Sequence, residues 1–183
     1  ATGKGEALIF IHGVGMDHTM WEKQVDYFAS DYRVISYDMM GHGKSGKLDR
    51  EYELKDFVEQ LRDLIDHLKV KQAHIVGFSM GALVTQLFGI HYPEKTKTLT
   101  FMNAVANRTE EQQRAVWNRV KQVEQEGHHS TIHDALARWF SESYREEYPK
   151  VIENVKTRLE NNDPSSYLKA YKVFATADQE LWP

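Results

Sequence analysis

The feature that most constrains this sequence is a serine flanked by glycines, in the order Gly77-Phe78-Ser79-Met80-Gly81. An apolar run that predicts a strand precedes it, and a helical pattern over residues 80–92 follows at once. A strand that turns directly into a helix brings backbone segments together, and glycine on both sides of the turn avoids a Cβ clash. Ser79 is therefore expected at the tip of a sheet, over the positive end of a helix, as a catalytic nucleophile. The alternative is an ordinary tight turn whose serine has no chemical role.

Strand-like and helical patterns alternate through the first half of the chain. Short apolar runs at 7–11, 33–37, 74–77 and 98–102 predict buried parallel strands, because a strand covered by helices on both faces need not alternate polar and apolar residues. Helical patterns lie at 20–30, where Asp17 or Thr19 could cap the helix, and at 53–69 and 80–92. The order predicts an α/β fold with a parallel sheet flanked by helices.

The second half of the chain has a different pattern. After Asn103 no further strand-like run occurs, and amphipathic helical stretches follow at 115–123, 132–140, 151–159 and 167–174. Gly127 and Pro164 interrupt them. We expect a sheet-containing core over residues 1–106 and a helical cap over residues 107–183.

Glycine-bearing loops follow three of the predicted strands, at the sheet edge where ligands of open parallel sheets bind. The first reads His12-Gly13-Val14-Gly15, the second reads Asp38-Met39-Met40-Gly41-His42-Gly43-Lys44-Ser45, and the third is the Ser79 segment. The three motifs, in this order and at these intervals, resemble those of the α/β-hydrolase superfamily of serine hydrolases. The resemblance covers residues 7 to about 103, and the helical remainder is similar to that family's cap. The first loop and the segment 135–140 look closest to 3-oxoadipate enol-lactonases and related C–C hydrolases.

The resemblance implies how the reaction intermediate would be held. When Ser79 attacks a carbonyl, the oxyanion needs two preorganised N–H donors. They would be the backbone N–H groups of Val14 and Met80.

The resemblance also implies substrate contacts. His12 and Gly13 would lie at the mouth of the oxyanion loop, and His12 would either touch the substrate or order the loop. Trp139 and Phe140 would contact the substrate from the cap, with ordinary packing inside the cap as the alternative.

The catalytic acid and histidine of the family are not expected in this chain. A carboxylate after the fourth strand would serve as the acid in some relatives, but Asn103 stands there, and an amide cannot stabilise an imidazolium in the same way. The chain therefore resembles a central piece of the family's fold, cut at both ends. It would be part of a longer enzyme, one half of a split protein completed by a complementary C-terminal chain, or a non-enzymatic descendant. We favour the first, and expect the isolated chain to be poorly active.

Several other classes of function fit poorly. The net charge is −4 with no basic stripe, so a nucleic-acid partner is not expected. No signal core or membrane-spanning run is visible, and no cysteine occurs, which favours a cytoplasmic protein.

Two further motifs suggest nucleotide or metal binding but fit poorly. Gly43-Lys44-Ser45 is reminiscent of a phosphate-binding loop, but Asp38 stands where its first glycine belongs. His129 and His133 have a metal-binding spacing without an obvious third ligand, so His128, His129 and His133 are expected to be solvated. We expect no cofactor and no metal.

These observations favour a hydrolase of small carboxylic esters or lactones that acts through an acyl-enzyme on Ser79. One alternative is a serine C–C bond hydrolase that cleaves a dienoic keto acid. Another, of a different class, is a hydrolase-like receptor that binds a ligand in order to signal.

Overall fold

Four parallel strands form one sheet, in the order β2-β1-β3-β4. They are β1 (Glu6–Ile11), β2 (Tyr32–Tyr37), β3 (Ala73–Phe78) and β4 (Thr96–Met102). The computed structural model describes residues 1–181, so the last two positions of the expected cap lie outside the described residues. The parallel α/β fold predicted from the sequence is confirmed, and each apolar run lies within one of the strands.

Helices pack on both faces of the sheet at β1, where five of the six residues are buried, which explains its unbroken apolar run, whereas no residue of β4 is fully buried. Successive side chains of β1 point to opposite faces: Ile9 and Ile11 pack with α2 (Leu54–His67) and α3 (Met80–His91). Leu8 and Phe10 pack on the other face with Trp21 and with Phe28 of α1 (Glu22–Phe28).

The segment before α1 differs from its prediction. One helix was expected over residues 20–30, but a 3-10 turn, His18–Trp21, comes first and α1 begins only at Glu22. Asp17 rather than Thr19 caps the turn, since its carboxylate accepts the Thr19 N–H at 2.9 Å.

The rest of the described chain, from residue 110 to 181, is helical; we call it the helical region. It contains α4 (Glu110–Glu126), α5 (Ile132–Trp139), α6 (Glu142–Glu147), α7 (Pro149–Glu160) and α8 (Pro164–Leu181). The short α6 was not predicted. Apolar residues of α4 and α8, among them Val120 and Ala170, join the same core as α2 and α3, whereas α5 and α7 enclose a smaller cluster with Met16. The prediction that His128 is solvated is wrong: it is buried beside Tyr167.

A buried ion pair ties α8 to the loop before α4. The Arg108 guanidinium donates to the Asp178 carboxylate at 2.7 Å, and the two side chains are only 5% and 1% exposed. The Arg108 backbone N–H also donates to Asp178, and the guanidinium lies 4.5 Å from the centre of the Phe174 ring. Desolvation lowers the pKa of Arg108 despite the neighbouring carboxylate.

The two edges of the sheet are unlike. Thr2 pairs with Val34 of β2 in a single antiparallel bridge, whereas Phe101 and Met102 of β4 are 46% and 40% exposed.

Among residues 1–181, no helix combines the length and the apolar character needed to cross a membrane.

Candidate active site

Ser79 lies at the junction of β3 and α3 in an uncommon backbone conformation. Its φ is 55° and its ψ is −116°, in a region that side-chain-bearing residues rarely adopt. Such a conformation costs about 1–3 kcal/mol and is retained only where its surroundings impose it. Here the Ser79 N–H donates to the carbonyl of Met102 at 2.9 Å, and the Ser79 carbonyl accepts from Ala82 at 3.0 Å. The serine is therefore fixed at the N-terminus of α3, at the carboxyl end of the sheet.

The glycines on either side of Ser79 allow this turn to pack. A Cβ atom on Gly77 would lie 2.1 Å from the carbonyl oxygen of Gly81, and one on Gly81 would lie 2.5 Å from that of Ile11. Both distances are far below van der Waals contact. The strand end, the helix start and β1 approach one another as closely as the sequence pattern predicts.

The loop after β1 approaches Ser79, and two backbone N–H groups near the serine, one in this loop and one at the start of α3, have no acceptor within the described residues. A Cβ atom on Gly13 would lie 3.3 Å from the Cβ of Ser79. In the described part of the chain, neither the Val14 N–H nor the Met80 N–H donates to a protein acceptor. Unpaired N–H groups beside a serine are able to bind a carbonyl oxygen and, more strongly, an oxyanion.

Two buried histidines hold this loop in place. His12 Nε2 accepts the Met39 N–H at 2.8 Å, and His42 Nε2 accepts the Gly15 N–H at 3.0 Å. Both rings must carry an unprotonated Nε2 to accept. Burial lowers the pKa of His12 to about 3 and lowers that of His42 as well, so both are neutral near pH 7.

The second loop is a turn built around Asp38. Its carboxylate accepts the backbone N–H groups of His18 and Lys44, each at 2.9 Å, and contacts the His18 ring at 2.7 Å. Burial alone would raise the pKa of Asp38, but these hydrogen bonds hold it below its usual range. Asp17, His18 and Asp38 have potential metal-ligand atoms within 4.8 Å of one another. The Asp17 carboxylate accepts the Thr19 N–H, and the Asp38 carboxylate accepts those of His18 and Lys44. Protein donors therefore already use the hydrogen-bonding capacity of these carboxylates.

A cavity of about 740 Å³ opens over Ser79. The structure brings Gly13, Val14, Trp139 and Phe140 to its wall together with the serine. His12 is fully buried beneath the loop and does not line the cavity, which favours the loop-ordering role over contact with a substrate. A second cavity, of about 420 Å³, lies on the α1 face of the sheet and does not include Ser79.

Sequence reasoning missed the part of this cavity wall that α7 contributes. Val151, Asn154, Val155 and Arg158 line it, at the spacing of residues on one helix face. The apolar members of this set predicted the helix. The polar members on the same face could have indicated that the helix borders a cavity rather than a closed core.

No base is positioned on Ser79 by the described residues. Its hydroxyl has no hydrogen-bond partner within residues 1–181, and the histidines there bond to other groups or lie apart from it. Asn103, at the end of β4, lines the cavity with a φ of 49°.

Comparison with known proteins gives consistent matches over nearly the whole chain. Residues 6–174 match the family model described as the alpha/beta hydrolase fold. A protein of Acinetobacter baylyi named (E)-2-((N-methylformamido)methylene)succinate hydrolase is 39% identical over 96% of this chain and 65% of its own length. The 3-oxoadipate enol-lactonase 2 of the same organism is 32% identical over 94% of this chain and 64% of its own length.

Solved structures show the same similarity in three dimensions. The enol-lactonase from Burkholderia xenovorans superposes with a TM-score of 0.89 at 25% identity, covering 96% of this chain and 67% of that one. A hydrolase from Pseudomonas aeruginosa gives 0.88 at 25% identity, covering 98% and 68%. The chain thus spans 65% and 64% of the two sequence relatives' lengths.

Proposed function

The chain belongs to the α/β-hydrolase fold family, and from this membership we propose that it serves in the hydrolysis of small carboxylic esters or lactones, with Ser79 as the nucleophile. The observation that carries the proposal is the conformation of Ser79 at the cavity floor. A left-handed serine at a strand-to-helix turn is a strained arrangement, and strain of this kind persists where function requires it.

The proposed chemistry begins with attack of the Ser79 hydroxyl on the substrate carbonyl. The Val14 and Met80 N–H groups, which have no acceptor among the described residues, would receive the oxyanion. Losing one such donor typically lowers the rate by about 100- to 1000-fold. Collapse of the tetrahedral intermediate would break the acyl C–O bond, and the ester or lactone oxygen would leave as an alcohol with the proton taken from Ser79. The acyl group would then reside on Ser79 until water releases it as a carboxylic acid.

A serine hydroxyl also needs a base, and a carboxylate to orient that base. Since no histidine within residues 1–181 hydrogen-bonds to Ser79, we propose that the catalytic histidine and acid are supplied from outside this chain. Without them Ser79 would retain only the rate that the oxyanion donors and binding provide.

The relatives guide the choice of bond. One is named as an enol-lactonase, and lactones and esters present the same acyl carbon to a nucleophile. We place esters and lactones in the cavity on this basis, with Gly13, Trp139 and Phe140 as substrate contacts. We also propose that residues 107–183 act as a cap over Ser79, and that the protein works in the cytoplasm, which its lack of cysteine favours.

The test should not depend on turnover, because removing serine from a triad that already lacks its base has little further effect on the rate. At alkaline pH an alkyl boronate anion exchanges one hydroxide for the oxygen of a serine placed beside oxyanion donors, which gives a tetrahedral adduct and water without the need for a protein base. We expect such an adduct, visible by boron-11 NMR, in the protein and in the matched control Ser143→Ala, whose serine is exposed on α6. Ser79→Ala should abolish the adduct. An adduct that survives in Ser79→Ala would exclude Ser79 as the nucleophile.

A further inference from the structure

Gly15, in the loop after β1, is held through both of its backbone polar groups. Its N–H donates at 3.0 Å to Nε2 of the buried His42, which lies in the loop after β2. Its carbonyl accepts the side-chain amide of Asn162 at 2.8 Å, from the segment between α7 and α8. The sheet-containing core and the helical region therefore both bind this one glycine.

Gly15 occupies the third position of a tight turn that begins at Gly13. The Met16 N–H donates to the Gly13 carbonyl at 3.1 Å, and the φ of Gly15 is 76°. A positive φ at the third position is typical of a type II turn. Turn types I and II differ in the orientation of the central peptide group, which here joins Val14 to Gly15. Since the N–H of this peptide is the group that His42 accepts, His42 fixes its orientation.

Residues of the helical region enclose Gly15 from the other direction. A Cβ atom on this glycine would lie 2.8 Å from atoms of both Leu159 and Tyr167, so a larger residue would have to displace them. Asn162 is only 9% exposed, and its amide also donates to the Arg158 and Leu159 carbonyls at 3.0 Å each. The last turn of α7 thus holds the amide in the direction of the Gly15 carbonyl.

The Val14 N–H lies between groups that are already engaged. The Gly13 carbonyl before it accepts from Met16, and Gly15 after it is bound through both backbone groups. Within residues 1–181 the Val14 N–H itself has no acceptor. A donor that is fixed in advance needs no reorganisation when negative charge develops beside it, and this makes it effective.

We propose that His42 and Asn162 are positioning residues that hold Gly15 through its N–H and its carbonyl. Through Gly15 they direct the Val14 N–H toward the carbonyl oxygen of a substrate that Ser79 attacks. The helical region then does more than line the cavity, because its Asn162 contributes to the geometry of an oxyanion donor in the core. The inference rests on the proposed function for the roles of Val14 and Ser79.

The test measures the dissociation constant of the butylboronic acid adduct at alkaline pH by boron-11 NMR. His42→Leu removes the acceptor of the Gly15 N–H and should weaken the adduct by about 10- to 100-fold, since misplacing a group by about 1 Å can cost about 100-fold. His42→Gln keeps an acceptor oxygen and should recover most of the loss. Asn162→Leu should also weaken the adduct, and the double variant should lose less than the two single losses combined, because both act on one residue.

Two controls separate positioning from a general change of structure. His74→Leu removes a histidine near the amino end of β3, where it bonds to Thr98 and Glu6, and should leave the adduct unchanged. Methyl pentanoate has the same butyl group and a neutral carbonyl. Its binding to Ser79→Ala, measured by calorimetry, should change less than about 3-fold when His42→Leu is added, because oxyanion donors act mainly on developing charge.

An adduct as tight in both leucine variants as in the parent would overturn the proposal. An equal loss in His74→Leu, or an equal loss of ester binding, would also overturn it. Should a leucine variant fail to fold, Asn162→Asp has the same size without an N–H to donate and should weaken the adduct; an unchanged adduct there refutes the role of Asn162. No adduct in the parent contradicts the proposed nucleophile and this inference with it, whereas a parent adduct that the variants leave intact contradicts the positioning role alone.

Discussion

Removal of the Asp178 charge, which pairs α8 with the loop before α4, should destabilise the protein far more than removal of an exposed charge between α4 and α8. The Arg108 side chain is only 5% exposed, so in Asp178→Asn its guanidinium stays buried without a counter-charge. Breaking a buried pair on one side typically costs about 3–5 kcal/mol. For a chain of this size the loss corresponds to a fall in Tm of about 6–20 °C.

The helices themselves provide the matched control. Glu124 of α4 and Lys172 of α8 form an ion pair at 2.7 Å, with side chains 42% and 31% exposed. Because solvent screens such a pair, Glu124→Gln should cost no more than about 1 kcal/mol. Urea denaturation of both variants gives the two free energies of unfolding under identical conditions.

A double substitution tests the physical reason. Arg108→Met with Asp178→Leu removes both charges and fills the space with apolar atoms, so most of the loss should be recovered. If Asp178→Asn costs no more than Glu124→Gln, the buried charge is not what makes this contact important. If the double variant is as unstable as the single one, packing rather than desolvation dominates.

Two further predictions concern the turn and the loop beside Ser79. Gly77→Ala should fail to fold or lose several kcal/mol, because its Cβ would lie 2.1 Å from a carbonyl oxygen; a near-native denaturation midpoint would contradict the close approach. Burial lowers the pKa of His12 to about 3 in the folded protein, whereas in the unfolded chain it is near 6.5. The stabilisation of the folded state by neutral His12 is therefore complete above about pH 6.5. It falls as the pH is lowered, by up to about 1.4 kcal/mol per pH unit. His12→Gln should reduce this slope between about pH 5 and 6.5. The control variant His133→Gln, at an exposed position, should keep the slope of the parent. Equal slopes in the parent and in His12→Gln would refute the idea that buried His12 causes the loss of stability at low pH.

The strands were predictable because runs of apolar residues mark them, most clearly in β1, where five of six residues are buried. β4 begins at Thr96, two residues before its predicted start, because Thr96 and Lys97 are polar and give no apolar signal. The helix α6 was missed for the same reason: it has no buried residue, so no stripe marks it. Patterns reveal elements only to the extent that those elements bury apolar side chains.

The site was predictable where it rests on local geometry. Gly77 indicates a close approach to the Gly81 carbonyl, and this contact is decided within five residues of chain. By contrast, the pairing of His42 with the Gly15 N–H spans 27 residues, and the Arg158 contact with Thr19 spans 139. Such contacts depend on how whole elements pack, which neither periodicity nor a short motif encodes.

Different parts of the fold hold Ser79 and form the α7 wall of the cavity over it. Ser79 is held by the sheet and α3, whereas an entire cavity wall comes from one helix whose C-terminal end is tied to the Gly15 carbonyl through Asn162, at 2.8 Å. The buried Leu159 and Asn162 anchor the helix, and Val151 and Asn154 on the cavity face are exposed. Substitutions at those exposed positions would reshape the binding surface at little cost to the scaffold. Under the proposed function, laboratory evolution of substrate preference would therefore vary positions on this one short helix, which could be exchanged as a single segment.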